Sequence, residues 1–156
     1  MDYELTKRVL AEFERHHVDY VVFGAVAVNL QGLARATEDL DVFIAPNREN
    51  VERLKSALRS VFDDPNIDQI SADDLLGEYP AVQYIPPQAG FHIDILTRLG
   101  EAFRFEDLGS EKVDLGGVSV TVATPATLYR MKKGTIRPKD WGDAEALRRR
   151  FKLPEE

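Results

Sequence analysis

Leu5, Val9, Leu10 and Phe13 fall on one side of residues 4–16, the spacing of an amphipathic helix laid on a core. Tyr20-Val21-Val22-Phe23 is an unbroken apolar run closed by Gly24, which predicts a short buried strand. No breaker interrupts 25–33 before Gly32, so a second helix is expected there. Residues 39–44 then alternate acidic and apolar side chains, the period of a strand. Pro46-Asn47 marks a turn. A helix opens at Asn47 or Arg48 with Val51, Leu54, Leu58 and Val61 on one face.

Residues 63–80 are polar and rich in turn formers, with room for one short helix at 72–79. Two hairpins follow. Residues 81–85 and 91–96 are joined through Pro86-Pro87-Gln88-Ala89-Gly90, and 112–115 pairs with 118–123 around Gly116-Gly117. Thr124-Pro125 is the start signal of a helix, threonine as N-cap and proline at the first helical position. The remainder reads as two short helices separated near 134–138. The order is that of a mixed α/β or α+β domain. Residues 1–123 are expected to form the core and 124–156 a helical extension of the same domain.

Composition narrows this only a little. A chain of 156 residues fits one domain that buries roughly 70% of its unfolded surface. With no cysteine, disulfide frameworks, thiolate metal sites and cysteine nucleophiles are excluded. The start Met1-Asp2-Tyr3-Glu4 has no signal-peptide character, and the longest apolar run, 21–28, is far too short for a membrane span. A cytoplasmic protein with no membrane partner is the expectation. Twenty Lys and Arg stand against 27 Asp and Glu, a net charge of −7. The chain as a whole therefore does not attract nucleic acid.

Alternation places Asp39, Asp41 and Phe43 on one face of their strand and Leu40, Val42 and Ile44 on the other. Two neighbouring carboxylates repel, and burying them unpaired costs several kcal/mol. A divalent cation with hard oxygen ligands relieves this. Asp94 is a lone acid in the otherwise apolar run Ile93-Asp94-Ile95-Leu96, so three acids on two strands can converge on one or two ions. The competing account makes Asp39 and Asp41 the solvent face of an edge strand. Gly24 lies between a buried strand and a helix, where backbone N–H groups can cradle a phosphate.

Phe23-Gly24-Ala25, thirteen residues, Asp39-Leu40-Asp41-Val42 and then Ile93-Asp94-Ile95 together resemble the polymerase-β-type nucleotidyltransferase superfamily. The stretch from Gly24 through Arg35-Ala36-Thr37 to Asp41 is similar, more narrowly, to the AbiEii branch of abortive-infection and toxin–antitoxin systems. Leu128-Tyr129-Arg130-Met131-Lys132 and Arg137-Pro138-Lys139-Asp140-Trp141-Gly142-Asp143 resemble two further motifs of that branch. The resemblance implies a nucleotidyltransferase fold, a mixed sheet backed by helices. It implies Mg²⁺ or Mn²⁺ on Asp39 and Asp41, with Asp94 completing the metal site or acting as general base. A nucleoside triphosphate would be the substrate, approached by Gly24 and Ala25 and contacted by Lys132, with Asp140 or Asp143 orienting basic side chains. The acceptor stays open among protein, tRNA or other RNA, and a small molecule. A cognate antitoxin is a further implied partner, and the chain is expected as monomer or homodimer. Ala25 departs from the pattern, which has Gly or Ser there, and leaves a second reading open: a non-catalytic nucleotide- or partner-binding module on the same fold.

Other features have two readings each. Arg35 and Thr37 either hold phosphate or serve as a helix-end cation and a turn residue. Asp140 and Asp143 share a helix face and either act in the site or pair with Arg137 or Lys132. Trp141 is in step with Ala144, Leu147 and Phe151, which predicts core packing. Arg148-Arg149-Arg150 reads as a solvated helix end or an RNA-backbone contact. His92 shares a face with Asp94 and can line the site. Asp64-Pro65-Asn66-Ile67-Asp68 opens like a calcium loop but has Gln69 and Leu75 where glycine and glutamate are required. No Walker loop, dinucleotide fingerprint, zincin motif or nucleophile elbow occurs.

Overall fold

The computed structural model describes residues 3–33, 39–87, 90–99, 103–133 and 138–154, for 138–140 the backbone alone. Helix α1 (Tyr3–Arg15) buries Thr6, Val9, Leu10 and Phe13. It ends where His17 enters the left-handed region at φ 56 and the Val18 N–H reaches back to the Phe13 carbonyl at 2.9 Å, a Schellman-type stop. Strand β1 (Tyr20–Phe23) runs directly into helix α2 (Gly24–Leu30), and strand β2 (Asp39–Ile44) follows. Helix α3 (Arg48–Val61) opens on the Asn47 side chain, which accepts from the Asn50 N–H at 2.8 Å. A 3-10 turn at Pro65–Gln69 and the short helix α4 (Ala72–Leu76) lead to strands β3 (Ala81–Tyr84) and β4 (His92–Leu96). A two-stranded ribbon, β5 (Arg98–Leu99) with β6 (Phe103–Arg104), was not anticipated from the pattern. The second hairpin is β7 (Ser110–Leu115) with β8 (Val118–Ala123). Helices α5 (Pro125–Lys133) and α6 (Pro138–Phe151) close the described chain.

Six strands form one mixed sheet in the order β3-β4-β2-β1-β8-β7. Both expected hairpins are present as antiparallel pairs. The placement of β4 parallel to β2, and of β8 parallel to β1, joins segments far apart in sequence. The pairs Tyr20↔Ile44 and Val22↔Val42 of β1–β2, with Leu40↔Ile93 and Val42↔Ile95 of β2–β4, define an apolar sheet face. Those side chains are buried, with Phe13 of α1 packed edge-on to Tyr20 at 5.4 Å and α3 lying beside α1. The Tyr20 hydroxyl donates to Glu14 at 2.5 Å and accepts from the Thr121 N–H at 3.1 Å. Burial and Glu14 both hold that hydroxyl's pKa well above the ordinary tyrosine range.

The opposite face changes character along β2. Phe43 is fully buried and meets Phe23 at 4.9 Å between ring centroids, whereas Asp39 and Asp41 on the same face are only partly covered. The strand is therefore half core and half site. One expectation fails: Trp141 is 51% exposed. Ala144 and Leu147 are buried as the spacing requires, but Trp141, one turn before Ala144, stays outside the packing. No helix among the described residues is long and apolar enough to cross a membrane.

Candidate metal and nucleotide site

The parallel register of β2 and β4 decides which side chains meet. Asp39 stands opposite His92 and Asp41 opposite Asp94, so four polar residues occupy adjacent positions on one sheet face. The hairpin register adds Gln83 opposite Asp94, and its amide donates to Asp94 Oδ1 at 3.3 Å. On the other side Asp41 pairs with Phe23, the last residue before α2. One row across the sheet thus reads Gln83, Asp94, Asp41, Phe23. Asp39 and His92 form the next.

His92 Nε2 lies 2.8 Å from Asp39 Oδ1 and 3.7 Å from Asp94 Oδ2. Asp39, His92 and Asp94 can each offer one ligand atom, all within 4.8 Å of one another, and all three are partly buried. Two carboxylate oxygens and an imidazole nitrogen converging at that spacing fit a divalent cation. Asp41 adjoins this trio instead of belonging to it, and its carboxylate turns toward Gly24. Gly24 has φ +69, and a Cβ built on it would sit 2.1 Å from Asp41 Oδ2. Any other residue there would be strained at that φ and would displace the Asp41 carboxylate.

Burial raises the pKa of Asp41 to about 7, helped by hydrogen bonding with Asp94 and by the charges of Asp94 and Asp39. The Lys132 ammonium pulls the other way. Lys132 is buried in the last turn of α5 and holds Asp143 of α6 at 3.0 Å. The two C-terminal helices therefore deliver one cation to the acidic row and fix it with a carboxylate from below. Helix α5 is set by Thr124, whose hydroxyl accepts from the Thr127 N–H at 3.2 Å.

The structure brings Asp39, Asp41, Asp94, Gly24 and Lys132 together, with Ala25 next in the chain after Gly24. Arg35 and Thr37 lie outside the described residues, as does the side chain of Asp140. Among the described residues, Asp143 is paired with Lys132. Arg148 and Arg149 bind Glu145 on their own helix at 2.5 and 3.0 Å, which holds the Glu145 pKa down to about 2. Gln83 escaped the sequence reading, because its place opposite Asp94 depends on the β3–β4 register.

A family model described as "Nucleotidyl transferase AbiEii toxin, Type IV TA system" matches residues 8–154. No curated protein matches the chain. Among solved structures, the antibiotic-resistance factor ANT(2")-Ia in complex with adenylyl-2"-tobramycin superposes with a TM-score of 0.57. It is 12% identical, with 96% of this chain and 88% of that chain covered. A Thermotoga maritima protein assigned as a nucleotidyltransferase gives 0.56 at 13% identity, covering 97% and 92%. An antigenic nucleotidyltransferase-like protein of Paracoccidioides brasiliensis gives 0.54 at 16%, covering 93% and 74%. These likenesses speak for the fold. The family match, spanning nearly the whole chain and every block of the acidic row, places it more closely: the chain belongs to the AbiEii nucleotidyltransferase family, within the polymerase-β-type superfamily.

Proposed function

We propose that this chain transfers a nucleoside monophosphate from a nucleoside triphosphate to an acceptor hydroxyl or phosphate, using Mg²⁺ or Mn²⁺ held by Asp39 and Asp94, with Asp41 turning from Gly24 to join them when the ion binds. The observation that carries this reading is the in-register Asp41–Asp94 pair beside Asp39, closed on one side by Gly24 and under the field of Lys132. A bound cation neutralises the triphosphate oxygens and the charge that develops as they react. The chain's residues do the rest. Gly24 and Ala25 let the backbone approach the phosphates, and Lys132 offsets their charge while Asp143 keeps it in place. Asp94, steadied by Gln83, takes the proton of the acceptor hydroxyl. The acceptor oxygen bonds to the α-phosphorus, the bond from that phosphorus to the bridging oxygen breaks, and pyrophosphate leaves.

The family suggests a toxin role with a cognate antitoxin, and the acceptor class remains RNA, protein or a small molecule. The test is release of pyrophosphate and transfer of label from each of the four α-labelled triphosphates in the presence of Mn²⁺ or Mg²⁺, offered total RNA and total protein. Label transfer is expected with wild type and lost with Asp39→Asn or Asp41→Asn. Nucleotide binding without transfer to any acceptor would favour the module reading, for which Ala25 at the Gly or Ser position speaks.

A further inference from the structure

We infer that His92 is a direct nitrogen ligand of the metal site, so that this chain prefers Mn²⁺ or a later transition ion over Mg²⁺. The inference rests on the metal-dependent reading above, but concerns a residue outside its three carboxylates. His92 occupies the position opposite Asp39 on the neighbouring strand, so its imidazole stands on the same sheet face as the acids. Its Nε2 is the atom that approaches both Asp39 Oδ1 and Asp94 Oδ2. Ligand atoms at about 2.1 Å from a shared octahedral ion lie about 3 Å apart, and the two separations from Nε2, 2.8 and 3.7 Å, bracket that value. Small side-chain rotations would bring all three onto one centre.

The chemistry of the donor separates this from a pure carboxylate site. Mg²⁺ is a hard ion that keeps oxygen ligands and gives up water reluctantly. Imidazole suits manganese, cobalt, nickel and zinc progressively better than magnesium. A site built from two or three aspartates alone would bind these ions with less discrimination. The opposing role for His92 is as a competitor: its ring N–H hydrogen-bonds Asp39, and a metal must then displace it. The two roles predict opposite changes when the ring is removed.

The experiment is calorimetric titration of the full chain with MnCl₂ and with MgCl₂, without nucleotide, for wild type, His92→Ala and His92→Gln. Circular dichroism and thermal unfolding of each metal-free variant serve as the check of folding. As a ligand, His92 makes Mn²⁺ affinity fall at least about tenfold on substitution, while Mg²⁺ affinity changes far less. A second readout needs no variant affinity. Electron spin echo modulation of the Mn²⁺-loaded protein should show coupling to an imidazole ¹⁴N. The other two histidines, His16 and His17, lie beyond the end of α1, and His16 is bonded to Ser60 on α3. The signal should therefore vanish in His92→Gln. Unchanged or increased Mn²⁺ affinity in both His92 variants, or no nitrogen modulation, overturns the ligand role and leaves the carboxylate site standing. Wild type that binds neither ion, in contrast, overturns the metal-dependent reading and this inference with it.

Discussion

Asp41 carries the tension of the site. Its carboxyl is packed against Gly24 and shares its neighbourhood with two more acids, so in the metal-free protein burial and repulsion hold its pKa near 7. A carboxyl whose pKa is higher folded than unfolded makes the folded state bind more protons, and stability falls as pH rises between the two values. The window runs from the ordinary aspartate range near 3.8 up to about 7. Below it the contribution is complete, and above it the loss is complete. Metal-free wild type should therefore lose urea resistance from about pH 4 to pH 7, and Asp41→Asn should flatten much of that slope. Equal slopes in the two proteins would remove the strained carboxyl from the account. The sequence marked Asp41 by alternation and by the resemblance of the Asp39-Leu40-Asp41-Val42 block. It gave no sign of the closeness to Gly24, because contact between β1's end and β2's side chains depends on their pairing.

At the scale of elements, the site depends on β1 and β2 being held in register, and Asn50 does much of that holding. It is completely buried near the start of α3. Its side chain donates to the carbonyls of Asp19 at 2.9 Å and Ala45 at 3.1 Å, and accepts from the Asp19 N–H at 2.8 Å. Those backbone groups flank the β1 start and the β2 end, the Tyr20↔Ile44 end of the pair. Removing the amide takes the bond of the Asp19 N–H and one of two bonds from the Asp19 and Ala45 carbonyls, which keep the Ala45 and Asn47 N–H groups; a group left unmet costs about 1–3 kcal/mol. Asn50→Ala is thus expected to destabilise the protein by about 1–3 kcal/mol, measured by chemical denaturation. A loss below about 1 kcal/mol would mean that water replaces the side chain. Helix α3 itself was legible from Val51, Leu54 and Leu58, all buried as the spacing required. The role of Asn50 was not, because its partners lie in turns whose carbonyls have no sequence signature. Trp141 failed for a related reason: periodicity orients a helix face but does not say where the neighbour covering it begins.

Across the whole molecule, the local pattern specified the hairpins and helices, whereas the sheet order that makes the site did not follow from it. Nothing in the spacing of Asp39 and Asp94 says that β4 lies parallel to β2. That adjacency became an expectation only through resemblance of the ordered blocks. The resulting assembly has a net charge of −7 and gathers three carboxylates on one face, more negative charge than Lys132, itself paired with Asp143, offsets. A triphosphate carries several negative charges of its own, so this surface repels it until a cation intervenes. Nucleotide binding should accordingly depend on the metal. A triphosphate present at about 100 times its dissociation constant stabilises by roughly 2.7 kcal/mol, which at this chain length raises Tm by about 5–10 °C. Differential scanning fluorimetry with millimolar triphosphate and Mn²⁺ should show that rise in wild type. It should fall close to zero with EDTA in place of the ion, and likewise in the doubly substituted Asp39→Asn, Asp41→Asn protein. A shift that survives EDTA would place the nucleotide somewhere other than the acidic row, because no arrangement of Asp39, Asp41 and Asp94 attracts a bare triphosphate.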